Sequence, residues 1–135
     1  MTRTGEEIVS YFYALINGSI IKSTINGSVY KSETRPVNSI KEDAVIIFSS
    51  GLDDQIQTGF VHVNIYVPDI NNGNTAVPNI SRLRTIETTA NTFIQGLRAG
   101  EFRIKLASTI QSFKDEDIPN QHFVNVKLYF ELATF

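Results

Sequence analysis

Cysteine is absent from this 135-residue chain. No disulfide framework and no zinc–thiolate centre can form, and the composition suits a reducing compartment. There is no large excess of either charge: 12 Lys and Arg against 14 Asp and Glu leave a net charge of −2. That balance speaks against a general nucleic-acid binder with a basic face. No apolar run approaches the ~20 residues of a membrane helix, and residues 1–7 hold no apolar signal core. The expectation is a soluble, unsecreted protein with no membrane contact. The chain also lacks Gly-x-Ser-x-Gly, GxGxxG and GxxxxGK[ST], so a nucleophile elbow and the common phosphate loops are excluded.

What is present is alternation. In residues 60–67, Val61, Val63, Ile65 and Val67 share one face. In residues 123–132, Val124, Val126, Leu128, Phe130 and Leu132 do the same. A strict period of two over this length predicts long, half-buried antiparallel strands. The opposite face carries Phe60, His62, Asn64, Tyr66, Phe123, Asn125, Lys127 and Tyr129. Half of that set is aromatic, which is too much for a face that meets only water: either the chain covers it with its own residues 32–42, or it is a subunit interface.

Two helices are expected. Thr4-Gly5-Glu6-Glu7 is a capping-box pattern, followed by a stripe of Ile8, Phe12, Leu15 and Ile16 that ends near Gly18. Residues 80–98 carry Ile80, Leu83, Ile86, Ala90, Phe93, Ile94 and Leu97 at helical spacing, with Asn79 as cap and Gly100 beyond the end. Asn26-Gly27 between residues 20–25 and 28–31 reads as a hairpin turn. The apolar run Ala44-Val45-Ile46-Ile47-Phe48 reads as a central strand covered on both sides, followed by a turn at residues 51–54 and a main strand over residues 55–67. Residues 102–110 alternate as one strand and residues 112–121 form a charged turn. Residues 32–42, around Arg35-Pro36, and residues 69–79, with Asn71-Asn72-Gly73-Asn74, read as an arm and a long loop. The fold class predicted is α+β: one domain over residues 1–135, two helices on one face of a mostly antiparallel sheet, and a protruding arm or long loop. Val63, Ile65, Val126, Leu128, Phe93 and Leu97 are the expected core.

The candidate chemical sites are thin. His62 and His122 lie on strands that pair, yet no third ligand is spaced for zinc. Asp53-Asp54 and Asp115-Glu116-Asp117 lack the alternating ligands of a calcium loop and read as solvated turn charges. Nothing in the sequence brings two of Glu87, Glu101 and Glu131 together as an acid–base pair. Arg82, Arg84, Arg98, Arg103 and Lys105 are spread and not interleaved with aromatics. No catalytic residue, metal or cofactor is expected.

Several segments together resemble small virion proteins of tailed bacteriophages, of the type found in phages of gut Bacteroidetes. They are Val29-Tyr30-Lys31, Arg35-Pro36-Val37-Asn38-Ser39, Glu42-Asp43-Ala44-Val45-Ile46 and residues 59–68. The order of elements is similar to the tail-terminator and tail-completion family. The resemblance implies a virion protein, assembled in the host cytoplasm, that forms a homo-oligomeric ring of six or twelve copies at the head–tail junction. It implies neighbouring connector, portal or tail proteins as partners, with DNA only as cargo in the lumen and no catalytic residues. The subunit contacts expected are Arg35, Pro36, Phe60, His62, Tyr66, Asn72, Asn74, Phe123, Lys127 and Tyr129, as two patches: the aromatic face and the arm. The alternative is a small α+β ligand-binding or regulatory domain with a pocket between sheet and helices.

Overall fold

The computed structural model describes residues 2–52, 54–98 and 100–133. Asp53, one of the turn acids considered above, lies outside them. Helix α1 (Gly5–Asn17) begins with the capping box: the Thr4 hydroxyl accepts the Glu7 amide and the Glu7 carboxylate accepts the Thr4 amide. It stops at Gly18, whose amide returns to Ala14 and Ile16 carbonyls.

The hairpin expected at Asn26-Gly27 does not form. Residues Ile20–Thr24 make a short helix, α2, capped by the Ser19 hydroxyl. Strand β1 (Val29–Lys31) then pairs in parallel with β2 (Ala44–Leu52). The reason is a long-range bond set that outcompetes the turn. Asn26 exchanges two hydrogen bonds with Glu42, and the Ser28 amide donates to Asp43 Oδ1 at 2.9 Å. Gly27 is required by close approach: a Cβ there would fall inside contact distance of Asp43 Oδ1 and the Glu42 carbonyl.

With β3 (Ile56–Pro68), β6 (Phe102–Leu106), β7 (Gln111–Lys114) and β8 (Gln121–Ala133), the main sheet runs β1-β2-β3-β8-β6, with β7 also on β8. Strands β3 and β8 pair along their whole length. Residues 69–79 are not an open loop. They fold back as a ribbon of β4 (Ile70–Asn72) and β5 (Thr75–Val77), turning at Gly73, whose φ of +72° suits a two-residue hairpin loop. Helix α3 (Ile80–Gln95) is capped by Asn79 as expected, but it ends at Gly96 and not near Gly100.

The single strand expected over residues 102–110 is two strands, β6 (Phe102–Leu106) and β7 (Gln111–Lys114). Both pair with β8, and residues 107–110 span a stretch where β8 offers only Val126 and Lys127. The surplus bulges out after the Ala107 amide bonds the Lys127 carbonyl at 2.8 Å.

The helices cover one face. Val61, Val63, Ile65, Val67, Val124, Val126, Leu128, Phe130 and Leu132 are each at most 2% exposed. They form one apolar cluster with Ile8, Phe12 and Ile16 of α1 and Leu83, Ile86 and Ala90 of α3. Phe93 and Leu97, also expected in the core, are only partly buried. Leu97 lies past the shortened end of α3, in a surface hollow shared with Phe102 and Ile104. Among the described residues the fold is α+β with three helices, one more than expected, against a mostly antiparallel sheet. Among the described residues no helix is long and apolar enough to cross a membrane.

Candidate assembly surface

The register of β3 and β8 determines what the outer face displays. Phe60 stands opposite Tyr129, His62 opposite Lys127, Asn64 opposite Asn125 and Tyr66 opposite Phe123. The result is two aromatic rows separated by a polar centre. Ring centroids are 5.6 Å apart for Phe60–Tyr129 and 5.5 Å for Tyr66–Phe123. In the centre, Asn125 Nδ2 donates to Asn64 Oδ1 at 2.7 Å and lies 3.2 Å from His62 Nδ1. Burial, and then the Lys127 charge, lower the His62 pKa, so the imidazole is held neutral.

Cations sit over both rows. Lys127 Nζ is 4.7 Å from the Phe60 ring centre, Lys105 Nζ is 5.3 Å from Tyr129, and the Arg35 guanidinium is 4.4 Å from Tyr66. An exposed contact of this kind is worth about 0.5–1 kcal/mol, and a desolvated one such as Arg35 over Tyr66 about 2 kcal/mol. Of the basic residues weighed in the sequence, Lys105 is brought onto an aromatic ring by strand pairing, while Lys127 reaches Phe60 from β8 and Arg35 reaches Tyr66 from the arm.

The two ends of this face differ. At the Tyr66 end the chain covers its own sheet. Arg35 Nε bonds Asp43 Oδ2 at 2.9 Å, with side chains 9% and 1% exposed. Its Nη2 reaches the Lys41 carbonyl and Gln121 Oε1. Asp43 also accepts the Ser39 hydroxyl at 2.5 Å. The arm is thus fastened, not protruding, although Val37 and Ile40 remain 81% and 84% exposed on it. It explains the continuous apolar run of β2, since Val45 on the outer side is buried as well as Ala44 and Ile46 on the helix side. Across from the arm, Asp115 is not a solvated turn charge. It is buried and accepts the Asp117 and Ile118 amides and the Gln121 side-chain amide. Between arm and turn lies a cleft of about 380 Å³, floored by Val45, Ile47 and Tyr66 and walled by Pro36, Val37 and Ile118.

Arg35, Tyr66 and Phe123 therefore come together, with Pro36 beside them, and the arm and the aromatic face form one patch at this end. Phe60, His62, Lys127 and Tyr129 occupy the other half of the face. Asn72 and Asn74 stand on the β4–β5 ribbon, where residues 70–76 are exposed. Two further residues belong to the surface and were missed. Lys105 rides on Tyr129, and Phe113 of β7 stacks 5.8 Å from Phe123 while 43% exposed. Alternation in β7 would have revealed Phe113, but reading residues 112–121 as a turn hid it.

The other candidates are kept apart. His62 faces outward at the Lys127 level. His122 pairs with Val67 on the helix side, roughly 17 Å along the ladder, and contacts Asp69 Oδ1 at 2.7 Å. Glu101 pairs with Arg3, Glu87 accepts the Ser112 hydroxyl at 2.6 Å, and Glu131 stands on the outer face opposite Arg103. Arg82 is structural: it pairs with Glu42 at 2.6 Å and reaches the Thr24 carbonyl. Among the described residues, no group of three or more His, Cys, Asp or Glu is placed to hold a metal ion.

No protein-family model matches the chain, and no curated protein does. Among solved structures, 18 chains match. One whose name carries no function aligns over 99% of this chain and 99% of its own length, with a TM-score of 0.56 and 12% identity. At that identity the likeness speaks to the fold alone: an α+β unit of this layout.

Proposed function

We propose that this chain is a structural virion protein, a ring subunit at the head–tail junction of a tailed bacteriophage. It acts by self-assembly and by docking to neighbouring ring, portal or tail proteins, while DNA passes through the lumen. One observation carries the reading. The Phe60–Tyr129 half of the outer face is an aromatic row topped by Lys127 and Lys105, away from the arm that covers the Tyr66 half. Aromatic and basic side chains without a covering segment suit a protein interface. Val37, Ile40 and Leu52, all more than 70% exposed, add contacts on the arm and at the β2–β3 turn. The reading also rests on the resemblance of the order of elements to the tail-terminator and tail-completion family.

The cleft between the arm and the Asp115 turn favours a second reading, a small ligand-binding or regulatory domain. Its pocket is on the outer face, because the space between sheet and helices is filled core. Light scattering on the full chain separates the two. A closed multimer of six or twelve copies supports the ring. A monomer that binds a small molecule in the cleft, and loses it on Val45→Lys substitution, supports the second reading.

A further inference from the structure

Among the described residues the main sheet has open strand edges on both sides, and two of them match, the free part of β2 and β6. Strand β1 covers only Ala44 to Ile46 of β2, so the β2 edge beyond Ile46 carries no strand. On the far side β6 is the edge, paired with β8 alone. The ladders relate their heights. Leu52, Thr58, Glu131 and Arg103 share one level, Gly51, Gly59, Phe130 and Ile104 the next, and Phe48, Val61, Leu128 and Leu106 another. The two open edges thus span the same levels of the sheet. They also run in opposite directions, since β2 and β6 are separated by three antiparallel steps.

We propose that neighbouring copies join strand to strand, with the free part of β2 in one copy pairing antiparallel with β6 of the next. This rests on the ring reading and names its lateral contact. An open edge presents amides and carbonyls that only water or another strand can satisfy. Matched levels preserve the sheet faces: Leu52 and Arg103 both point outward, and Phe48 and Leu106 both point to the helix side. Pairing without displacement along the strands is the condition for a repeated heterologous contact to close as a ring and not climb into a filament. Charge selects the pairing. Arg103 and Lys105 are exposed on β6, and like charges facing each other disfavour β6 against β6. The β2 edge has no charged residue from Ile47 to Leu52, and the acidic residue described beyond it, Asp54, is exposed.

The cysteine-free background makes the test direct. In the full chain, Leu52→Cys combined with Arg103→Cys places two thiols three strand spacings apart within one copy, roughly 14 Å, too far for a disulfide. Paired across copies, they fall within its range. Both sites are exposed, so the core is untouched. Mild oxidation should give a ladder of covalent multimers ending at the ring size, reversed by reductant, and neither single variant should give that ladder. A multimer by native mass spectrometry whose double variant does not cross-link overturns the edge pairing and leaves the ring reading standing. Efficient dimers from Leu52→Cys alone mean that β2 pairs with β2 and overturn the heterologous contact. A wild-type chain that is monomeric throughout overturns both.

Discussion

The Arg35 guanidinium lies 4.4 Å over the Tyr66 ring while its Nε bonds the buried Asp43 carboxylate at 2.9 Å. One side chain thereby ties residues 32–42 to the sheet and closes one wall of the outer cleft. The consequence is that the arm moves with the sheet face it covers, and contacts made by either are made by a single surface.

Replacing Arg35 by Ala should cost about 3 kcal/mol, because it leaves a buried carboxylate without its cation. Urea denaturation measures this, and limited proteolysis should cut residues 32–42 sooner in the variant. An Arg35→Ala chain within about 0.5 kcal/mol of wild type, the range of an ordinary surface substitution, would mean the arm is not held this way.

Acid should release the same latch. Burial alone would raise the Asp43 pKa, but hydrogen bonds from the Ser39 hydroxyl, the Ser28 amide and Arg35, with the Arg35 charge, bring it below its ordinary 3.8. A carboxyl depressed on folding contributes stability above its unfolded value, and that stability is lost as pH falls through the folded value. Melting temperature followed against pH should therefore drop steeply below about pH 4. Asp43→Asn should be less stable at neutral pH and should show a flatter acid limb. An acid limb unchanged by Asp43→Asn would remove Asp43 from this role.

Gly27→Ala should cost about 2 kcal/mol or more, since the added methyl displaces the Glu42–Asp43 backbone. Chemical denaturation against Asn26→Ala, which removes only the side-chain acceptor of the Glu42 amide and keeps the Asn26 amide bond to the Glu42 carboxylate, separates steric from polar loss. Equal stability of Gly27→Ala and wild type would contradict the close approach.

How much of this was legible follows from the physics of each element. Strands β3 and β8 were readable because alternation is local and repeated, and α1 because its capping box lies within four residues. The Asn26-Gly27 hairpin failed because Glu42 and Asp43, distant in sequence, claim those backbone groups. The division of β6 from β7 was invisible because it depends on the length of β8 left to pair. The patch at Arg35 and Tyr66 is a tertiary meeting of an arm and a strand, and neither segment announces the other.

His62 links the outer face to pH. Its pKa is lowered by burial and by Lys127, so the folded chain resists protonation that the unfolded chain accepts at about 6.5. Stability from this residue is complete above that value and falls as pH drops below it. His62→Gln should flatten stability between pH 7 and about 5. Identical pH profiles for variant and wild type would show that the polar centre does not sense protonation.

The association surface itself is tested most directly by the mass of the full chain beside its Tyr129→Asp variant, measured by native mass spectrometry at the same concentration. Tyr129 lies outside the core, under Lys105 and against Phe60, so the variant should keep its circular dichroism and melting transition. Loss of a central aromatic commonly costs about 2 kcal/mol or more at an interface. The wild type should appear as one closed multimer of six or twelve copies and the variant as monomers and small fragments of the ring. A monomeric wild type, or a multimer whose mass is unchanged in the folded variant, would contradict assembly through this face.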